Sequence, residues 1–305
     1  KTLFAVLLSQ VFLGRKYPLK LFLKKIEKIE KKEDMLLLPE EITGDLLGVV
    51  NAIEHHIGIN KFLFQGAPGT GKTEAVKQLA RILNREIFMV DFSAVIDSKL
   101  GQTQKNLSML FKEINSFVQP NRVIVLFDEI DALALDRTNQ NDLREMGRAT
   151  SAMLKEFERM NEDIVLVATT NLYQYFDKAL IRRFDSVIDF DRYSQEDLLS
   201  IAEKMLDRYL DKLKLANRDI RLFRKIMKLM PQIPYPGELR NLIKTSVAFS
   251  NPHDGMDYFR RLYYAVCNEK PEDLKKLQNQ KFTVREIEIL VGRSKSSIAR
   301  DLREI

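Results

Sequence analysis

The chain has 305 residues, 45% of them hydrophobic, enough for one sizeable core and smaller satellites, which excludes a globally disordered chain. A formal net charge of +6 is spread over 30% charged residues of both signs, so the basic excess permits an acidic partner without requiring one. The single cysteine, Cys267, excludes an intrachain disulfide, and His55, His56 and His253 have no metal-site spacing with it; the expected compartment is the cytoplasm.

Residues 1–38 read as an N-terminal helical segment. Its longest apolar stretch, Leu3 to Leu13, is shorter than the roughly 20 residues of a membrane helix, so a packing helix and no membrane association are expected. The chain opens on Lys1 rather than Met, and no targeting segment is expected. Leu19, Phe22, Leu23, Ile26 and Ile29 recur at helical spacing and predict an amphipathic helix. Its basic side, Lys20, Lys24, Lys25, Lys28, Lys31 and Lys32, reads as a solvated face because Glu27, Glu30 and Glu33 are interspersed, although it also suits nucleic acid or lipid headgroups.

Residues 39–192 alternate helical stretches with short apolar strands, predicted at Lys61–Gln65, Ile87–Phe92, Val123–Phe127, Ile164–Thr169 and Ser186–Phe190. The intervening segments are long enough for crossover helices, which predicts an α/β fold: a parallel sheet sandwiched by helices. After Tyr193 the strand pattern stops. Residues 193–255 read as a small all-helical lid broken at Pro231, Pro234 and Pro236, and residues 256–305 as a further C-terminal helical region.

Between the first of these strands and the next helix stands GAPGTGKT: Gly66, Ala67, Pro68, Gly69, Thr70, Gly71, Lys72 and Thr73, followed by Glu74. A GxxxxGK[ST] sequence in strand-to-helix context is a phosphate-binding loop. The glycines let the backbone turn its N–H groups toward phosphate oxygens, and the helix N-terminus adds a favourable dipole. Lys72 is placed to reach the β and γ phosphates of ATP, and Thr73 to offer its hydroxyl to Mg²⁺. The strand Val123–Phe127 then ends in Asp128, Glu129 and Asp131. At the carboxyl edge of a parallel sheet, Asp128 suits the Mg²⁺ shell and Glu129 suits orienting and deprotonating the attacking water, which separates an ATPase from a passive binder.

The loop GAPGTGKT, the strand with DEID and the next strand IVLVATTN resemble the AAA+ superfamily in order and spacing, over about residues 40–250. The stretches NLSMLFKEI and RTNQNDLREMGRATSAML are similar to bacterial stand-alone AAA proteins of the SpoVK-like group. The resemblance implies that Asn171 is sensor 1 and positions the lytic water. In DKALIRRFDSVIDF it implies an arginine finger reaching a neighbouring subunit, with Arg183 the best match and Arg182 second. In PGELRNLIKTS it implies that Arg240 is a sensor 2 contact to the phosphates, as in remodellers of the Trip13 type. A homo-oligomeric ring, a hexamer, acting on a protein client follows from the same resemblance. The pore-loop position carries Lys99, Leu100 and Gly101 without the aromatic of peptide-threading relatives, a departure that weakens a threading reading.

The final stretch KFTVREIEILVGRSKSSIARDLREI reads as a helix-turn-helix, with a turn at Gly292 and Ile298 and Leu302 facing inward. Arg293, Lys295, Ser296, Ser297 and Arg300 would then face double-stranded DNA, while the same pattern also serves as a two-helix corner in a lid that binds no DNA. The main expectation is therefore a Mg²⁺-dependent ATPase that remodels or regulates a partner protein. The alternative is an ATP-regulated DNA-binding protein acting through its C-terminal region.

Overall fold

The computed structural model describes residues 22–26, 37–97, 101–133, 150–176, 178–215 and 217–304. Two compact units divide the chain, one up to Arg192 and one from Tyr193 onward.

Among the described residues the first unit is built on six strands: β1 (Leu23–Lys25), β2 (Lys61–Gln65), β3 (Glu86–Val90), β4 (Val123–Phe127), β5 (Val165–Thr170) and β6 (Ser186–Asp189). Their spatial order is β1-β3-β4-β5-β2-β6, and every pairing except β1 with β3 is parallel. All residues of β4 and β5 are buried, as the continuous apolar sequence of strands covered on both faces requires. Phe111, Phe127 and Phe157 meet edge-on or tilted at centroid distances of 5.7 to 6.2 Å, joining β4 to the helix Gln102–Ile114 and to the helix over residues 150–158. Because β2, β4 and β5 run parallel and adjacent, the loops leaving their carboxyl ends emerge along one edge.

One helical expectation is overturned at the sheet edge. Residues 23–25, inside the predicted amphipathic helix, instead pair antiparallel with β3, Leu23 opposite Val90 and Lys25 opposite Phe88. The outer side of β3 offers unpaired backbone groups, and this tertiary partner outweighs the helical spacing. Phe22 and Leu23 are buried there, while Lys24 and Lys25, read as part of a basic face, pair with Asp91 at 2.6 Å and Glu86 at 2.7 Å. The remainder of that segment, residues 1–21 and 27–36, lies outside the described residues. Strand β3 stops at Val90, short of the predicted Phe92, because Asp91 caps a short helix, Phe92–Val95, by accepting from the Ser93 N–H.

The regular elements of the second unit, among the described residues, are helices: Gln195–Lys212, Ile220–Met227, Pro236–Ala248, Asp257–Cys267, Leu274–Asn279, Val284–Val291 and Lys295–Glu304. Reciprocal capping boxes start two of these helices, Ser194 with Asp197 and Thr283 with Glu286. Pro236 occupies the first turn of its helix, where a missing N–H costs nothing. Residues 193–255, read as a lid, and residues 256–305, read as a C-terminal helical region, fall in one compact unit. Leu222, Phe223, Ile243, Phe259, Leu277 and Ile287 share one buried core, so both stretches close the same hydrophobic surface. Among the described residues no helix is long and apolar enough to cross a membrane.

Candidate active site

The phosphate loop leaves β2 through three glycines in backbone conformations that disfavour side chains, with φ of 144° at Gly66, 79° at Gly69 and 100° at Gly71. At Gly66 space is also restricted, since a Cβ would lie 3.0 Å from Asp191 Oδ1 and 3.1 Å from Phe190 Cβ. Gly71 caps the helix Lys72–Ile82 without a side-chain acceptor, so the first-turn N–H groups face the loop as an anion-binding end.

Lys72 is 7% exposed, and its ammonium donates to Gly66 O at 2.6 Å, Ala67 O at 2.8 Å and Asn171 Oδ1 at 2.7 Å. Burial pushes this ammonium below the ordinary lysine range, opposed by the carboxylates of Asp191, Asp131, Asp128 and Glu129. Beside it, Thr73 Oγ1 donates to Asp128 Oδ1 at 2.8 Å, and Thr169 Oγ1 donates to the same oxygen at 2.8 Å. A hydroxyl next to a carboxylate is the hard-oxygen donor set that Mg²⁺ takes, so the residues present fit Mg²⁺ with ATP. Glu129 is an exposed non-glycine residue in the left-handed region, φ 50°, held there by its N–H donating to Thr169 Oγ1 at 2.8 Å. Such a conformation costs about 1 kcal/mol or more and is retained where the surroundings impose it.

Residues 62–192 match the family model described as "ATPase family associated with various cellular activities (AAA)". The chain carries an AAA-family ATPase domain. It is 32% identical over 179 residues to the uncharacterized AAA family ATPase y4kL of Sinorhizobium fredii (strain NBRC 101917 / NGR234), covering 56% of this chain and 53% of that protein. A putative 26S proteasome regulatory subunit homolog of Methanothermobacter thermautotrophicus is 30% identical, covering 49% of this chain and 39% of that one. The chain thus spans about half the length, or less, of these curated relatives. Among solved structures, a chain of the E. coli MS115-1 HORMA:CdnC:Trip13 complex superposes with a TM-score of 0.63, covering 85% of this chain and 99% of that one at 17% identity, a likeness of fold.

Within the AAA domain the geometry also brings in residues that sequence reasoning did not single out for a role. Asp131, 4% exposed, accepts from Thr170 Oγ1 through one oxygen and from the Asn171 N–H through the other at 2.8 Å. Thr170, fully buried, in turn accepts from the Leu172 N–H at 3.0 Å. Asn171 is therefore held at its backbone by Asp131 while its side chain meets Lys72. Thr169 reads in the sequence as the end of a strand and Thr170 as the position after it, and only the pairing of β5 beside β4 reveals their hydroxyls as links between Asp128, Glu129, Asp131 and Asn171. Thr170→Val, which leaves a buried Asp131 oxygen without its donor at a cost of about 1–3 kcal/mol, is expected to lower kcat about tenfold with little change in the KM for ATP. Thr170→Ser, retaining the hydroxyl, is expected to stay near the wild-type rate in a phosphate-release assay.

The other site residues expected from sequence are placed as follows. Arg182 and Arg183 are exposed after the short helix Lys178–Ile181, and Arg183 pairs with Glu158 at 2.7 Å. Arg240 is exposed on the helix Pro236–Ala248 of the second unit. Of the pore-loop residues, Lys99 and Leu100 lie outside the described residues, and Gly101 caps Gln102–Ile114 with φ 75°. At the C-terminal corner Gly292 turns the chain with φ 71°, and Ile298 is buried. Arg293 is engaged there with Ser297 at 2.8 Å and with Asp301, the Lys295 N–H donates to Glu288 at 3.1 Å, and the Ser296 hydroxyl lies 3.2 Å from that of Ser294. Arg300 is exposed, its side chain at 72%.

Proposed function

We propose that this AAA domain hydrolyses ATP with Mg²⁺ as a homo-oligomeric, hexameric ring and uses the cycle to remodel a partner protein. The observation that carries this reading is the convergence of Lys72, Asn171, Thr73 and Asp128 through contacts of 2.7 to 2.8 Å at the carboxyl edge of three parallel strands. ATP supplies the phosphoryl group, and Mg²⁺ the countercharge. The N–H groups of residues 69–73 and the Lys72 ammonium bind the phosphates, while Thr73 and Asp128 hold the cation. Glu129 takes the proton of the attacking water, and Asn171 positions that water. Arg183, or Arg182 beside it, stabilises developing charge in a neighbouring copy's site.

Exposure supports the trans role of Arg183: its ion pair with the half-exposed Glu158 is of a kind worth about 0–1 kcal/mol and readily exchanged. A protein client is supported by the matched chain's membership of a complex with HORMA and CdnC. If the site is completed by a neighbour, phosphate release per chain should rise with protein concentration and level off as sedimentation velocity shows the oligomer forming. A specific rate unchanged down to concentrations at which the chain sediments as a monomer would contradict the ring.

A further inference from the structure

Asp191 follows β6 and has no part in the motifs recognised in the sequence, yet its carboxylate is built into the phosphate loop. Its Oδ1 accepts the Ala67 N–H at 2.7 Å. The carbonyl of the same peptide unit, Gly66 O, accepts from Lys72 Nζ at 2.6 Å. One peptide is thus held between a carboxylate at its N–H end and an ammonium at its C=O end, the orientation in which both charges favour its dipole. The grip is itself fixed. The Asp191 N–H donates to Asp189 Oδ1 at 2.9 Å, Arg192 Nε donates to Asp189 O at 3.1 Å, and the Arg192 guanidinium pairs with Asp45. The Phe190 N–H continues the sheet to Gln65 O at 2.8 Å, and contact with Gly66 is so close that a Cβ there would sit 3.0 Å from Asp191 Oδ1.

We propose that Asp191 is a positioning residue for ATP binding, acting on Lys72 through the Gly66–Ala67 peptide. An ammonium has three protons. The carbonyls of Gly66 and Ala67 direct two of them, so the third keeps a defined direction, taken here by Asn171 at 2.7 Å. If the 66–67 peptide rotates, Gly66 O leaves Lys72 and the ammonium loses that direction. Asp191 resists this rotation because rotation would also break a charge-assisted hydrogen bond. The inference rests on reading the loop as the nucleotide site.

The test measures ATP affinity, by titration with a fluorescent ATP analogue, and the kcat and KM of phosphate release in Asp191→Asn, Asp191→Ala and a Lys72→Ala control, with melting temperatures recorded alongside. The amide oxygen of Asp191→Asn still accepts the Ala67 N–H, so its KM is expected within about twofold of wild type. Asp191→Ala has no acceptor and is expected to raise Kd and KM about tenfold, the loss of one hydrogen bond to a charged group, with the smaller effect on kcat. Asp191→Ala binding as tightly as wild type, or both variants weakened equally with lowered melting temperatures, would overturn the positioning role. Wild type and Lys72→Ala binding alike would instead overturn the reading of the loop itself.

Discussion

Glu129→Gln is expected to keep ATP bound and to lose turnover by about a hundredfold or more, the usual range for removing a positioned general base. The substitution preserves volume and hydrogen-bonding capacity but leaves an amide that cannot take a proton from water. Its effect on binding should be small because the contacts that shape the phosphate and cation positions do not involve the Glu129 side chain. Lys72 is held by Gly66, Ala67 and Asn171, and Asp128 by Thr73 and Thr169. Glu129 enters that network through its backbone N–H, donated to Thr169 at 2.8 Å, which the substitution retains. Equilibrium binding of a fluorescent ATP analogue and a phosphate-release assay on the same preparation separate the two effects. Turnover at the wild-type rate would remove Glu129 from the chemistry.

Lys72→Ala and Arg183→Ala are each expected to be inactive, for different reasons. Removing Lys72 takes a buried cation out of the loop and leaves Gly66 O, Ala67 O and Asn171 Oδ1 without their donor. ATP binding should be lost with it. Arg183 is exposed and contributes an ion pair with an exposed Glu158, so Arg183→Ala should melt at the wild-type temperature and still bind ATP. Its turnover is expected to fall about a thousandfold or more, as for other arginines that stabilise phosphoryl-transfer charge. The melting temperature and the analogue titration therefore distinguish a lost binding residue from a lost finger.

How far the sequence disclosed this arrangement depends on whether a residue's role is local. The glycines and Lys72 were legible because strand, loop and helix are consecutive and only a few residue types satisfy the turn. The strands β2, β4 and β5 were legible within one residue because fully buried parallel strands are continuous apolar runs. Leu23 was misread because its helical spacing carries no sign of the open side of β3, the tertiary partner that outweighs it. Asp191 could not be found because its partner, the Ala67 N–H, is 124 positions earlier, and an aspartate after a strand is otherwise an ordinary turn residue. Thr169 and Thr170 were hidden in the same way, their significance arising from the neighbouring strand's Asp128 and Asp131. At the C-terminal corner Arg293 donates to Ser297 four residues on, a contact that the residue types alone do not disclose.

The central claim is an ATPase whose site is shared between copies, and subunit mixing tests it most directly. Lys72→Ala lacks the lysine of the phosphate loop and retains Arg183, whereas Arg183→Ala retains that lysine and lacks the arginine. Mixed in varying ratio, the two inactive proteins should recover phosphate release, greatest at intermediate ratios, because some interfaces then pair an intact loop with an intact arginine. If no ratio recovers activity while sedimentation shows that the two variants co-assemble, Arg183 does not act across the interface and the shared-site account is wrong.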